Sequence, residues 1–182
     1  MRLVPVALAA TLVAGTALGF TLARSGEPVR FAPAGFGFEL TAHSPGTPQA
    51  TYDLFTGDIS PWWDHTFSAK PLKLVLEAKP GGGFYEIFDE AGNGVKHAEV
   101  LVALRGEELV FRGPLGFGRM GVHLDFVHRL LLAADEAGGT KMTLTVHGAG
   151  EVAEGVPETV QKVWEHFLHE RFEPHAREKL GG

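Results

Sequence analysis

The sequence predicts an α+β domain in which a curved antiparallel sheet wraps around one long C-terminal helix, with two short helices after the first strand. Three observations predict it. A series of short segments with alternating apolar residues is punctuated by Gly-rich turns. The last part of the chain carries an apolar arc at helical spacing. Between the first strand and the rest, Thr47-Pro48 offers a helix start.

The N-terminus reads as a separate object. Met1-Arg2 is followed by LVPVALAATLVAGTALGF, with no further charge before Arg24. A positive start, an apolar run and small residues at Ala17 and Gly19 form the pattern of an export signal cleaved near Gly19. The alternative is an uncleaved anchor, because Leu3 to Ala23 is just long enough to span a bilayer. A buried core segment is a third reading, weakened by the lack of polar alternation. Residues 1–23 are therefore expected to be a signal peptide or N-terminal anchor, 24–35 a linker and 36–182 the domain. The localisation expected is periplasmic or otherwise exported, or membrane-anchored through residues 1–23.

Composition narrows the function classes. The net charge is −6 and no basic run stands out, so nucleic acid is not expected as a partner. With no cysteine there are no disulfides, no thiolate chemistry and no Cys-based zinc site. A chain of 182 residues is long enough to hold together by its core alone.

The elements follow in order. In FGFELTAHS, Phe36, Phe38 and Leu40 alternate with small or polar residues, the pattern of a half-buried strand. PGTPQATYDLFTG reads as a short helix ended by Gly57, and DISPWW as one more helical turn. LKLVLEA, FYEIFD, VKHAEVLVAL, ELVFRG, VHLDFVHRLLLAA and TKMTLTVHG then read as strands. The turns between them (PGGG, EAGNG, Arg105-Gly106, GPLGFGRMG and DEAGG) are short enough to favour an antiparallel meander.

From Val156 to about Lys179 the pattern is that of a long helix, begun by Pro157-Glu158 and ended by Gly181-Gly182. Val160, Val163, Trp164, Phe167, Leu168 and Phe172 form one apolar arc. His166, His169, Glu170 and Glu173 fall on the opposite face. Arg171 and His175 return to the apolar stripe near the helix end. An unpaired buried charge there is unfavourable, so Arg171 is expected to snorkel past the sheet rim or pair with an acid rather than meet a ligand.

Taken together, ATYDLF, ISPWWD, PGGGFYE, VLVALRGEELVFRGPLG, GGTKMTLT and VWEHFLHERFEPHAREKL resemble the START-related, polyketide-cyclase-like superfamily, also called helix-grip or birch-pollen-allergen-like. Within it the chain is similar to an exported bacterial branch that resembles the activator of heat-shock ATPase. The resemblance covers about residues 36–180. It implies a space between sheet and helix that, across the superfamily, holds lipids, polyketides, hormones or other apolar molecules. It implies no reaction, and no catalytic residue carries over.

The residues themselves suggest where such a molecule would sit. Trp62 and Trp63 lie where the short helices meet the next strand. Neighbours cannot point the same way, so one is expected to plug the core and one to line the interior, unless both are packing alone. Trp62, Trp63, Phe117, Met120, Trp164 and Phe167 are expected to surround one largely apolar cavity. The loop GPLGFGRMG, with Leu115, Phe117 and Met120, suits a lid or an ordinary bent connection.

The polar constellations are thinner. Asp64-His65 puts a carboxylate beside an imidazole, the makings of acid–base chemistry, although a turn role is the competing reading. His97 and Glu99, like His123 and Asp125, alternate along a strand and are expected on one face, the solvent face before the interior. Asp64, His65, His97 and Glu99 are thus the catalytic candidates. His166 and His169 are spaced for helical metal ligands but lie on the polar face with no further ligand motif nearby, so no metal and no cofactor are expected.

The leading expectation is a binding or carrier protein for an apolar small molecule or lipid. A cyclase- or hydrolase-like enzyme is the first alternative, and a partner-protein-binding module the second.

Overall fold

The computed structural model describes residues 32–181. The signal or anchor expected at 1–23, and residues 24–31 of the expected linker, lie outside the described residues. Strand β1 (Ala34–Ser44) begins two residues inside that linker and alternates along its whole length. Its Phe36, Phe38, Leu40 and Ala42 side chains share the less exposed face.

Helix α1 (Pro48–Phe55) starts where its sequence says it should. The Thr47 hydroxyl accepts a hydrogen bond from the Ala50 N–H at 3.2 Å, and Pro48 fills the first turn, where no donor is needed. The Thr51 hydroxyl donates to Ser44 Oγ at 2.8 Å, and Thr140 donates to the Gly46 carbonyl at 2.7 Å, so these buried hydroxyls are satisfied. The second expected helix is only a turn. A two-residue strand β2 (Gly57–Asp58) comes first, and the Trp63 N–H then bonds the Ile59 carbonyl at 2.9 Å. Asp58 Oδ1 accepts from both the N–H and the hydroxyl of Ser60, an arrangement that favours a turn over a longer helix.

The remaining strands are β3 (Lys73–Leu76), β4 (Gly83–Ile87), β5 (Gly94–Leu104), β6 (Glu108–Gly113), β7 (Leu124–Ala134) and β8 (Thr140–Gly150). They form one antiparallel sheet in the order β1-β8-β7-β6-β5-β4-β3-β2. Only the pairing of β1 with β8 joins strands that are not consecutive, so the sheet is the expected meander with its first strand laid beside its last. The β7–β8 turn needs Gly139: its φ is +82°, and a Cβ there would lie 2.2 Å from the Ser44 carbonyl oxygen.

One face of the sheet is solvated and carries cross-strand ion pairs, Arg112 with Asp125 at 2.5 Å and Arg129 with Glu108 at 2.6 Å. The other buries Leu74, Phe84, Val100, Leu109, Phe111, Phe126, Leu130, Met142, Leu144 and Val146. That face receives the C-terminal helix, built from α2 (Val156–Glu165), a π-helical segment (His166–Phe172) and α3 (Glu173–Leu180). Its buried residues are Val156, Val160, Trp164, Phe167, Leu168, Phe172 and Ala176, the expected arc extended by a turn at each end, with Val163 half-buried. The π segment closes with the Glu173 N–H bonded to the Leu168 carbonyl, five residues back. Pro174 follows directly and has no N–H to continue the ladder, so the irregular turn sits where the regular pattern would have lost a bond in any case. Among the described residues no helix is long and apolar enough to cross a membrane.

Candidate functional site

Between the C-terminal helix and the buried face of the sheet lies a cluster built mainly of rings, and it is the candidate site. Trp62 is 1% exposed and packs against Phe55 and Phe172, with centroids 5.0 and 5.2 Å away. Trp63 turns the other way. Its ring stacks on Phe167 at 3.7 Å and meets Phe84 and Trp164 edge-on at 4.8 and 5.8 Å. Its indole N–H donates to the His65 carbonyl at 2.9 Å, which curls the chain around its own side chain. The two indoles thus point different ways, Trp62 towards Phe55 and Phe172 and Trp63 towards Phe84, Trp164 and Phe167, while their own rings meet edge-on at 5.7 Å.

From Trp164 the wall continues across the sheet. The Trp164 ring lies 5.0 Å from His128, which stacks on Phe111 at 4.6 Å and leans on Phe126 at 5.8 Å. Phe117, in a 3-10 helix over Leu115–Met120, reaches Phe126 at 5.6 Å and is half-buried. Met120 is different. It is 58% exposed at the far end of that helix and takes no part in the wall, because the short helix turns its last residues outward. Leu115 enters the same helix with φ +47°, a left-handed conformation that branched residues avoid, so this connection is under local backbone strain.

Besides the unpartnered indole N–H of Trp62, imidazole and carboxylate groups enter this interior at two places among the described residues. His128 has no exposure, and neither ring nitrogen has a well-formed hydrogen bond, although the Phe111 backbone lends the ring weak support. Burial removes water from the imidazolium and pushes its pKa down to about 3, so the ring is neutral. The second place is Glu86, also without exposure, whose carboxylate accepts from the N–H groups of Phe67 and Ser68 at 3.0 and 2.8 Å. His97 Nε2 lies 3.4 Å from Glu86 Oε2 without an aligned bond. Its ring is sandwiched by Phe67 at 5.7 Å and Phe84 at 4.8 Å. Desolvation lowers its pKa, partly opposed by the Glu86 charge.

His97 overturns one expectation. It was placed on one face with Glu99, towards solvent. A register shift between Phe84 and Tyr85 inserts an extra residue in β5: Tyr85 pairs with Lys96 and Phe84 with Ala98. The bulge turns His97 inward, to 6% exposure, while Glu99 stays outside and bonds Lys96 at 2.7 Å. His123 and the half-buried Asp125 do keep to the solvated face.

Asp64 and His65 sit at the edge of the aromatic wall. They touch, with His65 Nδ1 3.0 Å from Asp64 Oδ1. The same carboxylate lies 3.0 Å from His166 Nε2 and 3.2 Å from Arg171 Nε. Arg171 thus pairs with an acid, one of the two outcomes expected of it. Hydrogen bonds from His65 and His166 and the two cationic partners hold the Asp64 pKa low against partial burial. No ligand motif near His166 in the sequence announces the cluster, but the turn after α1 brings Asp64, 102 residues away, and His65 beside His166.

Sequence reasoning missed Glu86 and His128. Both were within its reach: His128 shares strand parity with Leu124, Phe126, Leu130 and Leu132, and Glu86 shares parity with Phe84.

Comparison with solved structures decides the fold. Ara h 8.0201 superimposes with a TM-score of 0.57 at 15% identity, over 80% of this chain and all of its own. Protein MLL2253 from Mesorhizobium loti gives 0.57 at 16% identity, covering 79% of this chain and 98% of its own. An uncharacterized protein from Rhizobium leguminosarum gives 0.56 at 13%, covering 81% and 98%. The chain has the helix-grip, birch-pollen-allergen-like fold. No protein-family model and no curated protein matches the sequence. At these identities the likeness establishes the helix-grip fold and leaves function to the site.

Proposed function

We propose that the protein binds and carries an apolar small molecule or lipid, with one polar group, between its C-terminal helix and its sheet. The observation that carries this reading is His128. A fully buried imidazole with two unpartnered nitrogens, set among Phe111, Phe126 and Trp164, is unfavourable by about 1–3 kcal/mol per orphaned group. A ligand hydroxyl, carbonyl or carboxyl would satisfy it while its apolar body lies against the rings. The superfamily resemblance supports the same use of the fold.

The charged start and apolar run of residues 1–23 support work outside the cytoplasm. The motif order supports the exported branch resembling the activator of heat-shock ATPase. Native mass spectrometry of the purified protein tests the carrier reading, with a co-purifying apolar molecule expected. An empty protein that also takes up no hydrophobic fluorescent probe would overturn it.

A second reading, a cyclase- or hydrolase-like enzyme, is favoured by the inward pair of Glu86 and His97. A buried carboxylate beside a neutral imidazole can orient it as a base. Turnover of a bound substrate that disappears in His97→Gln while the substrate is still bound would establish it.

A further inference from the structure

We propose that Asp64, His65 and His166 form a binding site for a divalent first-row transition ion, of the chemical class represented by zinc. Their ligand atoms all lie within 4.8 Å of one another. Asp64 Oδ1 is 3.0 Å from both His65 Nδ1 and His166 Nε2. Bonds of about 2.0–2.2 Å to a tetrahedral ion would separate the ligands by roughly 3.3–3.5 Å. The two Asp64–His spacings therefore need to widen by only a few tenths of an ångström, while the His65–His166 spacing, at most 4.8 Å, has to close by up to about 1.3 Å, which rotation of the exposed His65 ring supplies.

Each inner group except His65 also has an outer partner of the kind metal ligands use. His166 Nδ1 lies 2.8 Å from Glu170 Oε2, which fixes the tautomer that leaves Nε2 free to coordinate. Arg171 Nε lies 3.2 Å from Asp64 Oδ2 as an ion pair, and His166 Nε2 is 3.0 Å from both carboxylate oxygens, so either oxygen can face the ion. Two imidazoles and one carboxylate suit zinc and its neighbours, whereas magnesium and calcium prefer all-oxygen sets. Three protein ligands leave a position for water.

His166 is the first residue of the π-helical segment, so the cluster sits where that segment begins. The stacking of Trp63 on Phe167 locks the two ligand-bearing elements together directly beside the cluster. Bound there, the ion would staple the Trp62–His65 turn to the C-terminal helix at the edge of the aromatic wall. The site stands independently of the carrier reading.

The test uses untagged full-length protein, stripped with a chelator and titrated with zinc chloride by calorimetry, with cobalt as a spectroscopic substitute. One ion per chain and a raised Tm are expected. Glu170→Gln should weaken binding roughly ten- to a hundredfold, and His65→Ala by more than that. The His65 ring is 53% exposed, so its removal leaves the core intact, which circular dichroism checks. His169→Ala, one residue type and one turn away, should bind as wild type and show the same cobalt spectrum. No zinc bound at micromolar concentration, or unchanged affinity and cobalt spectrum in His65→Ala, would overturn the site and leave the cluster as ion pairs only.

Discussion

Trp63 lies flat on Phe167, centroids 3.7 Å apart and planes within 20° of parallel, while Trp62 turns its ring to Phe55 and Phe172. One backbone step thus sends two indoles into different jobs. Trp62→Leu should lower stability by about 2–3 kcal/mol, less than the ~3–5 of truncation to Ala, and leave probe affinity close to wild type. Trp63→Leu should weaken uptake of a hydrophobic probe several-fold at a smaller loss of stability. Urea unfolding and probe titration on the two variants separate the effects. Equal loss of probe affinity in both would remove the distinction between plug and wall.

His128 makes stability depend on pH with a definite sign. Its folded pKa is depressed to about 3, while the unfolded chain takes up this proton near 6.5. Below 6.5 the unfolded state binds more protons than the native one, so stability is full above that pH and declines as pH falls towards 3. The slope is about 1.4 kcal/mol per pH unit, or about 2 kcal/mol between pH 7 and 5. His128→Phe keeps the stack on Phe111 and removes the proton. The loss on going from pH 7 to 5 should therefore be about 2 kcal/mol smaller in the variant than in wild type, measured by urea midpoints at each pH. His97, also depressed by burial, contributes equally to both and cancels.

How far the sequence could be read follows from which signals are local. Period-two alternation in Phe36–Leu40 and the helical arc through Trp164, Phe167 and Phe172 are carried by neighbouring residues, and the sheet and C-terminal helix were legible from them. The inward turn of His97 was not. It depends on a bulge whose register is set between β4 and β5, and no residue within β5 announces it. The Asp64–His166 contact was hidden for a similar reason: helical periodicity places His166 on a polar face without saying what packs over that face. Met120 failed because apolar composition in a Gly-rich loop does not fix the direction of the last turn.

Arg171 tests how much an edge ion pair contributes. Its side chain is 39% exposed and that of its partner Asp64 is 37% exposed, so solvent screens the attraction. Arg171→Leu should change stability by no more than about 1 kcal/mol, with probe uptake unchanged. Loss of probe uptake in a folded Arg171→Leu protein would instead move this residue into the binding site.

The bulge offers the sharpest structural test, because a glycine holds it closed. Gly113 ends β6 opposite the bulged strand, where a Cβ would lie 2.4 Å from the His97 carbonyl oxygen and 2.6 Å from Ala98 Cα. Both are backbone atoms and cannot rotate away, so Gly113→Ala must push β6 and β5 apart. Overpacking of this kind costs about 1–3 kcal/mol. The strain falls on the residue that turns His97 towards Glu86, so the variant should also loosen that pair. In NMR spectra the His97 ring resonances should shift and titrate closer to the ordinary histidine range, as water reaches the ring. Leu104 lies in the same strand, away from the bulge and 49% exposed, and Leu104→Ala should leave those resonances in place. A Gly113→Ala protein with wild-type stability and unshifted His97 signals would show that the strands separate freely there, and that the inward position of His97 does not depend on their close approach.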